Sequence, residues 1–564
     1  MDKKSLLINI EEKLKFIYGD KFQESFIDTI NDLINKWEKK NFEKALPISE
    51  KNIYLITYGD SIYEEGKKTI PTLDKFLKEE VGTAITDVHL LPMFEYTSDD
   101  GFSVVDYMEI KKELGNWDDI REFSKDYRLM FDFVANHISK SSSWFKGYIN
   151  DEEKYKHYFI ERDENFDAAN VVRPRTSPLF HEYQGKNGIK TAWTTFSEDQ
   201  VDINIKHFPV LIEMTDVLLN YAYNGATSIR LDAIGFLWKE SGTTCMHLPQ
   251  THGIIELWRM ILDYFKINTQ IITETNVPHK ENISYLGNGI NEAHMVYQFS
   301  LPPLTLYSLT THDSSKLTQW SKTIDKVSDK ATYFNFLSSH DGIGMRPTEG
   351  ILNEEEKQVL IDKTIENGGR VSYKNNADGT KSVYELNINY NDALLNKKED
   401  LYLDDQVQKI LAAHSILLTC VGVPAIYYHS LLGSRNDYKG LEESGINRRI
   451  NREKLEFNRL VKELNEDKRR SKIFNGLKNL INLRKNESAF SPYANQETLE
   501  LGNDIFALVR ENKSTSEKIT FILNVTAKDI TVNGEFNGVD IITGKKITNT
   551  IELPKYGFVW IKNK

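Results

Sequence analysis

"GATSIRLDAIGFLWKESGTTC", residues 225–245, predicts a buried strand that ends in a carboxylate. Residues 227–231 form the apolar run, Asp232 follows it directly, and an Ala-Ile-Gly turn comes next. Arg230 lies two residues ahead of Asp232. The acid is therefore either one half of a structural ion pair or a reactive group, and the rest of the chain decides between these interpretations.

Seven further runs resemble this strand: NIYLITYGD, DVHLLPMF, RLMFDFVANH, QIITETN, HMVYQFSL, YFNFLSSHDG and VPAIYYHS. Helical patterns lie between most of them, for example in residues 208–222 and 251–265. Strands that alternate with helices imply a parallel sheet, and eight repeats suggest that the sheet closes. The sequence predicts an α/β protein with a (β/α)8 TIM barrel.

Other segments are expected to lie outside the barrel. Residues 138–205, after the third run, and 345–400, after the seventh, are too long for simple connections and predict inserted subdomains. The barrel would occupy residues 51–137, 206–344 and 401–489. Residues 1–50 predict an N-terminal helical extension, because apolar residues recur there at the spacing of one helix face: Phe26, Ile27, Ile30, Leu33, Ile34 and Trp37. Residues 490–564 show strand patterns only and predict a C-terminal antiparallel β domain.

The composition narrows the class of protein. Apolar residues make up 40% and charged residues 27% of the 564 residues, as in globular proteins. A net charge of -12 argues against a nucleic-acid partner, although it allows small anionic substrates.

The expected location is the cytoplasm. Two cysteines, Cys245 and Cys420, indicate a reducing compartment. The apolar run at residues 5–10 is too short for a signal peptide, and residues 415–428 fall short of a membrane span. The expected partners are therefore small molecules, with no membrane, and a homodimer is among the assemblies that the sequence leaves open.

Polar residues follow four of the predicted strands. They are the segment from Asp132 to His137 in DFVANH, Asp232 in RLDAIGF, Glu274 in ITETN, and the pair His340-Asp341 in SSHDG. Active sites of TIM barrels lie at the C-terminal ends of the strands. One such acid could be structural, but the convergence of all four on one barrel mouth favours a reactive role.

These four motifs, in this order, resemble the conserved regions of the α-amylase superfamily of glycoside-active enzymes. The resemblance extends over roughly residues 52–564. It implies that Asp232 is the nucleophile, Glu274 the general acid/base and Asp341 the carboxylate that stabilises the transition state. It also implies that three further residues hold the nucleophile and the sugar hydroxyls: Arg230, His137 and His340.

The chemistry of acetal cleavage requires such residues. The reaction passes through an oxocarbenium-like state, so one carboxylate attacks the anomeric carbon while a protonated carboxyl donates to the leaving oxygen. Arg230 would keep Asp232 ionised, whereas burial and like charges would raise the pKa of Glu274.

Several stretches are similar to the sucrose phosphorylase branch, including SDDGFSVVDY, WTTFSEDQVDIN and LLGSRNDY…INRRINRE. In that branch a shallow pocket holds one terminal glucose. The resemblance implies that Asp99 and Arg448 bind the distal glucose hydroxyls in a bidentate manner. Phe102, Phe196 and Phe236 would form apolar walls, with ordinary core packing as the alternative for these aromatic residues.

A phosphorylase needs positive charge near the anomeric carbon. The segment VVRPRTSP offers Arg173 and Arg175 on a loop stiffened by Pro174, and the planar guanidinium suits phosphate oxygens. The resemblance makes Arg175 the phosphate contact. A solvated loop charge is the alternative.

The acceptor is the least determined part. The N-terminal extension, the long second insertion and LGSRNDYKGLEESGINRRINRE most closely resemble glucosylglycerate phosphorylases, which cleave 2-O-α-glucosyl-glycerate with phosphate to α-glucose 1-phosphate and D-glycerate. Candidate residues for the phosphate and the anionic acceptor are Arg173, Arg175, Arg346, Lys374, Tyr384 and Asn387. Sucrose, sucrose 6'-phosphate and glucosylglycerol remain alternative substrates.

Two rival classes remain: an α-glucosidase that uses water, and a catalytically dead barrel that binds carbohydrate. The presence of all three carboxylates disfavours the second. Asn136 lies where many amylases bind structural calcium, but the phosphorylase branch generally lacks it, and the sequence offers no clear calcium cage. We therefore expect no metal and no cofactor, with inorganic phosphate as a substrate.

Overall fold

Eight parallel strands close into a barrel in the computed structural model, which describes residues 1–376 and 378–563. In chain order they are Tyr54–Thr57 (β1), Asp87–Leu90 (β2), Arg128–Phe133 (β3), Ala226–Leu231 (β4), Gln270–Thr273 (β5), Met295–Tyr297 (β6), Thr332–Asn335 (β7) and Val423–Tyr427 (β8). Each strand pairs with its neighbours in sequence, and β8 pairs with β1. The predicted (β/α)8 barrel is confirmed, and each apolar run contains or overlaps one strand.

The strands are buried on both faces, which explains why most of their residues are apolar. Helices cover the outer face of such a barrel and side chains fill its interior. All four residues of β1 and of β2 are buried. Inside the barrel, the Tyr54 hydroxyl lies 2.7 Å from the Ser228 hydroxyl and joins β1 to β4.

Helices follow the barrel strands along the chain. They are Thr69–Phe76, Trp117–Phe123, Phe208–Tyr223, Pro249–Phe265, His279–Asn282, Leu301–Thr311, Ser315–Ser321, Leu403–Thr419, Phe457–Glu466 and Lys468–Arg484. Pro209 and Pro249 lie in the first turns of their helices, where the missing N–H has no intrahelical partner to lose. Shorter elements near the mouth are the helices Tyr428–Leu431 and Tyr438–Ser444 and the strand pairs Ile62–Tyr63 with Leu455–Glu456 and Phe94–Tyr96 with Val104–Ile110.

Two segments extend from the C-terminal ends of β3 and β7. The first contains the helix Ser143–Ile149, the hairpin Phe180–Gly185 with Gly188–Trp193, and the strand pair His137–Ser139 with Gln200–Asp202. The second contains the helices Glu354–Glu366 and Tyr390–Ala393 and the three-stranded sheet of Ile343–Gly344, Lys381–Asn387 and Arg370–Asn375. Both therefore begin at the end of the barrel where active sites lie. The exact division of the chain into seven parts stays a prediction.

Two N-terminal helices, Lys3–Tyr18 and Ser25–Glu38, pack on the outside of the barrel. The Trp37 indole N–H donates to Asp216 Oδ1 at 2.7 Å, and the Phe26 ring stacks on Phe208 with 3.9 Å between centroids. Gly253 allows the close approach, because a Cβ there would lie 2.9 Å from Ile17 Cγ1.

The C-terminal β domain is a six-stranded antiparallel sheet. Its strands lie in the order Asn495–Leu499, Ile505–Asn512, Glu517–Asn524, Phe558–Asn563, Ile530–Asp540 and Lys546–Leu553. Trp560 is buried and its indole N–H donates to Thr419 Oγ1 at 2.8 Å, which attaches the domain to a barrel helix. Across residues 1–376 and 378–563, no helix combines the length and the apolar character needed to cross a membrane.

Candidate active site

A pocket opens at the C-terminal ends of the barrel strands. Its empty volume is about 700 Å³, within the ~300–1,000 Å³ typical of small-molecule sites. Asp232, Glu274 and Asp341, the three acids that the sequence predicts as catalytic, all line it. Other predicted site residues line it too: Asp99, Phe102, His137, Arg175, Phe196, Phe236, His340, Arg346, Tyr384 and Arg448.

Arg230 lies beneath the pocket and connects its carboxylates. Residues two apart on a strand face the same side, so Arg230 and Asp232 both point into the barrel. Arg230 Nη1 donates to Asp232 Oδ1 at 2.8 Å and to Asp132 Oδ1 at 2.7 Å, and its Nη2 lies 3.7 Å from Glu274 Oε2. Arg230 Nε donates to the Tyr297 hydroxyl at 3.1 Å. One buried guanidinium thus lies within 4 Å of carboxylates that follow or belong to three neighbouring strands, β3, β4 and β5.

Asp232 and Glu274 share one electrostatic environment. Burial raises the pKa of Asp232 and the pKa of Glu274 above their ordinary values, and the charge of Glu274 raises that of Asp232 further. Arg230 opposes both shifts, but its nearest nitrogen is 2.8 Å from Asp232 and 3.7 Å from Glu274. Its charge therefore favours the ionised form of Asp232 more strongly than that of Glu274.

Asp341 has the opposite environment. Arg448 Nη1 lies 2.6 Å from Asp341 Oδ1, and Arg452 Nη2 lies 3.8 Å from the same oxygen. Burial opposes ionisation, but Arg448, Arg452 and Arg230 outweigh it and lower the pKa of Asp341. The pocket therefore holds one acid whose pKa is lowered beside two acids whose pKa values are raised.

Arg448 is fixed by a residue of the second inserted segment. Its Nε and Nη2 donate to the two carboxylate oxygens of Glu385 at 2.8 Å and 3.0 Å, a bidentate pair. Glu385 is buried, and Arg448 lowers its pKa against the effect of burial. The inserted sheet is thereby linked through Arg448 to Asp341.

Asp99 and Arg448, which the resemblance predicts to bind the distal glucose hydroxyls, both line the pocket. A second arginine, Arg452, lies beside Asp99, with its Nη1 3.6 Å from Asp99 Oδ1, while Arg448 contacts Asp341 and Glu385. Asp99 and Asp100 have φ of +52° and +49°, and Asp100 bridges Arg449 at 2.6 Å and Arg452 at 2.8 Å. The turn needs Gly101 next, because a Cβ there would lie 2.6 Å from the Pro92 carbonyl oxygen.

Aromatic rings form one wall of the pocket. Phe102 stacks on His340 with 4.8 Å between centroids, and Phe196 meets Phe236 edge to face at 5.5 Å. Burial and the nearby Arg230 hold the pKa of His340 well below its usual range, so its imidazole is neutral. His137 Nε2 lies 3.0 Å from the Phe102 carbonyl oxygen, within hydrogen-bonding distance. Such a wall suits the apolar face of a sugar ring, with polar groups at its edges.

Arg175 lies between two of these aromatic residues. Its guanidinium lies 5.4 Å from the centroid of Phe196 and 5.1 Å from that of Tyr384. Its hydrogen bond among the described residues goes to the Pro174 carbonyl at 3.2 Å. The rings hold the cation at the pocket wall while its remaining N–H groups stay available to an anion.

Three predicted residues lie elsewhere. Arg173 and Lys374 line a neighbouring cavity, which Arg346 also lines. Asn387 lies behind Glu385, to which it donates at 3.0 Å, and it accepts from the Ser372 hydroxyl at 2.6 Å. Asn387 therefore holds Glu385 and does not line the pocket that contains Asp232, Glu274 and Asp341, which we call the reaction pocket.

Residues 70–360, just over half of the chain, match the family model described as alpha amylase, catalytic domain. The chain belongs to the alpha-amylase family. It is 42% identical over 525 residues to a glucosylglycerate phosphorylase of Spirochaeta thermophila, which covers 92% of this chain and 89% of that protein. It is 40% identical over 564 residues to a glucosylglycerate phosphorylase of Escherichia coli, covering 98% and 99%. Its fold is similar to the crystal structure of sucrose 6F-phosphate phosphorylase from Thermoanaerobacter thermosaccharolyticum, with a TM-score of 0.74 and 22% identity over 90% of this chain and 99% of that one.

In this member of the alpha-amylase family the side chain of a lysine, Lys239, lies against the side chain of Asn136. Lys239 Nζ lies 2.9 Å from Asn136 Oδ1 and 2.6 Å from Asp202 Oδ2, and all three residues are buried. The positive charge beside Asn136 and Asp202 is thus the ammonium group of Lys239. Within residues 1–376 and 378–563, no cluster of three or more His, Cys, Asp or Glu residues is arranged to hold a metal ion.

Sequence reasoning missed several residues that shape this alpha-amylase site: Asp100, Lys239, Glu385 and Arg452. A signal exists for Arg452, because the triplet Ile-Asn-Arg occurs at residues 446–448 and again at 450–452. A signal also exists for Lys239, the first charged residue after the apolar run GFLW. Glu385 directly follows the predicted residue Tyr384, but its contact with Arg448 depends on how the second insertion folds.

Proposed function

We propose that the protein is a retaining glycoside phosphorylase that cleaves 2-O-α-D-glucosyl-D-glycerate with inorganic phosphate. The products are α-D-glucose 1-phosphate and D-glycerate. The observation that carries this proposal is the 40–42% identity, over nearly the whole chain, to proteins named glucosylglycerate phosphorylase. The pocket supports it, since its volume is in the range for a small glycoside.

In the first step Asp232 attacks the anomeric carbon of the glucosyl group. The bond from that carbon to the glycosidic oxygen breaks, and the proton of Glu274 passes to the departing oxygen of glycerate. The product of this step is a β-glucosyl ester of Asp232. The 2.8 Å bond from Arg230 supports an ionised Asp232, and burial supports a protonated Glu274.

In the second step phosphate resolves the ester. One phosphate oxygen attacks the anomeric carbon, the ester bond to Asp232 breaks, and the proton carried by the phosphate returns to Glu274. Asp341, kept ionised by its arginine neighbours, stabilises the positive charge that develops on the sugar ring in both steps. Two inversions give retention of the α configuration.

We assign the choice of phosphate over water to Arg175. Its guanidinium is held between Phe196 and Tyr384 and has N–H groups free of carboxylate partners among the described residues. A planar fork of this kind matches two phosphate oxygens. Arg346, which also lines the pocket, supplies a second cation at the wall. The proposed reaction uses no resident cofactor. Inorganic phosphate enters it as a substrate.

We also propose a cytoplasmic location. Cys245 and Cys420 are both buried and both free, which suits a reducing compartment.

The test measures glucose 1-phosphate and free glucose from glucosylglycerate, with and without phosphate. We expect phosphate-dependent formation of glucose 1-phosphate by the wild type and none by Asp232→Asn, which should keep the thermal unfolding of the wild type. Free glucose as the main product would instead identify an α-glucosidase. In the reverse direction, D-glycerate should exceed fructose, fructose 6-phosphate and glycerol as acceptor, and a better rate with fructose would reject the glycerate assignment.

A further inference from the structure

A second cavity, which we call the outer cavity, lies beside the reaction pocket. Its empty volume is about 1360 Å³, and its cationic lining residues are Arg173, Arg346 and Lys374. Pro174 and Arg346 line both the outer cavity and the reaction pocket, so the two spaces share a wall. The outer cavity is formed by the loop that carries Arg173 and by the hairpin that carries Lys374.

The cations of the outer cavity have almost no carboxylate partners. Among the described residues, Glu349 is the acid within 4.0 Å, and it lies 3.9 Å from Arg346 Nε. Arg173 donates to the Ser177 carbonyl oxygen, which carries no net charge. Lys374 has neither an ion pair nor a side-chain hydrogen bond within residues 1–376 and 378–563. Three positive groups thus line one cavity that has a single carboxylate within 4.0 Å of them among the described residues, in a chain with a net charge of -12.

Two observations show that this arrangement is costly without a ligand. Burial, and then the charge of Arg346, lower the pKa of Lys374, as expected for a cation held next to another cation. Arg346 Nε is buried and lacks a hydrogen-bond partner among the described residues. A buried donor without a hydrogen-bond partner loses its hydration and gains no hydrogen bond in exchange. An anion bound beside the two residues would offset both costs.

We propose that the outer cavity is a binding site for a small oxyanion, separate from the phosphate contact of Arg175, from which the anion passes to the reaction pocket along Arg346. The chemistry that it recognises is a phosphate or carboxylate group, carried either by inorganic phosphate or by the free acceptor acid. This inference rests on the proposed function for the identity of the anion, but the existence of the site does not. A local group of cations also raises the concentration of anions near an otherwise acidic protein.

The test compares three variants of the full-length enzyme. Lys374→Gln and Arg173→Gln each remove one cation of the outer cavity. Lys381→Gln is the matched control, because Lys381 is an exposed lysine on the same hairpin, in register with Asn375. Circular dichroism and thermal unfolding establish that all three variants fold.

Titration calorimetry with inorganic phosphate and with D-glycerate measures binding directly. We expect Lys374→Gln and Arg173→Gln to weaken the binding of at least one of these anions by about tenfold, as the loss of a charge-assisted hydrogen bond predicts. Lys381→Gln should bind both as the wild type does. A loss confined to phosphate identifies phosphate as the ligand, and a loss confined to D-glycerate identifies the acceptor acid. Unchanged binding of both anions in both variants would overturn the proposal.

Kinetics separate this inference from the proposed function. If glucose 1-phosphate forms, the KM for the affected anion should rise in Lys374→Gln and stay constant in Lys381→Gln. The rise should shrink at high ionic strength, because salt screens partly exposed charges. If no variant and no wild type forms glucose 1-phosphate, the proposed function fails, while the calorimetric result still decides whether the outer cavity binds an anion.

Discussion

The backbone N–H of Ala233 donates a hydrogen bond of 3.1 Å to Oε2 of Glu274. Ala233 directly follows Asp232 and has a φ of +49°, a left-handed conformation that residues other than Gly, Asn and Asp seldom adopt. The same turn therefore ends the strand of the proposed nucleophile and holds the proposed general acid. The bond also limits the rise in the pKa of Glu274 that burial causes.

We expect Ala233→Val to lower kcat by about tenfold or more, since strain of this kind costs ~1–3 kcal/mol and relaxation of the turn would remove the N–H from Glu274. Ala233→Gly is the matched control, because glycine adopts the left-handed conformation without strain. Steady-state release of glucose 1-phosphate measures both. Wild-type kcat in the valine variant would show that this turn does not position Glu274.

The raised pKa of Glu274 predicts the alkaline side of the pH profile. Glu274 must be protonated to act as an acid, so kcat/KM should fall as the pH rises through its pKa. Asp232 must be ionised, so kcat/KM should also fall as the pH drops through the pKa of that group. The pKa of Asp341 is lowered, so the titration of this group does not produce the alkaline limb. We expect a bell-shaped dependence whose alkaline limb lies above the ordinary pKa of a glutamic acid.

A donor with a good leaving group provides the control for this prediction. The fluoride ion of α-glucosyl fluoride departs without being protonated, so the first step with this donor should not need the acid form of Glu274. The alkaline limb measured with glucosylglycerate should be absent in the single-turnover rate of glucosyl transfer from the fluoride. A limb at the same pH with both donors would assign it to another group.

Much of the barrel could be predicted because buried parallel strands have a simple sequence. Strands covered on both faces are rich in apolar residues, as in β1 and β6, and the end of each strand marks the position of the active site. Asp232, Glu274 and Asp341 could therefore be placed at one mouth before any contact was known. The family resemblance then suggested what each of them does.

The parts that sequence could not predict depend on side-chain direction in irregular segments. Arg448 and Arg452 lie four residues apart in identical Ile-Asn-Arg triplets, and the contact of Arg452 with Asp99 at 3.6 Å could not be read from them. The same limit applies to Asn387, which donates to Glu385 at 3.0 Å. Patterns of residue type locate strands, but they do not determine the contacts of side chains in irregular segments.

Lys239 should contribute strongly to stability. Its ammonium pairs with Asp202 at 2.6 Å where both side chains are buried, and removing one partner of a buried ion pair costs about 3–5 kcal/mol. We therefore expect Lys239→Met to lower the free energy of unfolding by an amount of that order. Denaturation in urea, followed by circular dichroism, measures the change.

A double-mutant cycle tests whether the loss arises from the pair. Asp202→Asn removes the negative charge but keeps an acceptor for Thr195, which donates to Asp202 through its N–H at 2.8 Å and its hydroxyl at 2.7 Å. The double variant should be more stable than the sum of the single changes predicts, because no unpaired charge remains. Additive losses would mean that Lys239 and Asp202 act independently.

The N-terminal extension offers a comparison within one helix. Ile10 of Lys3–Tyr18 is fully buried, whereas Ile8 of the same helix is 50% exposed. Ile10→Ala should destabilise the docked helix by about 2–5 kcal/mol, and Ile8→Ala by no more than ~0.5 kcal/mol, since only the first leaves a cavity. The rate of limited proteolysis between residues 38 and 52 reports detachment of the extension. Faster cleavage in Ile10→Ala than in Ile8→Ala is the expected result, and equal rates would mean that burial of this helix face does not hold the extension on the barrel.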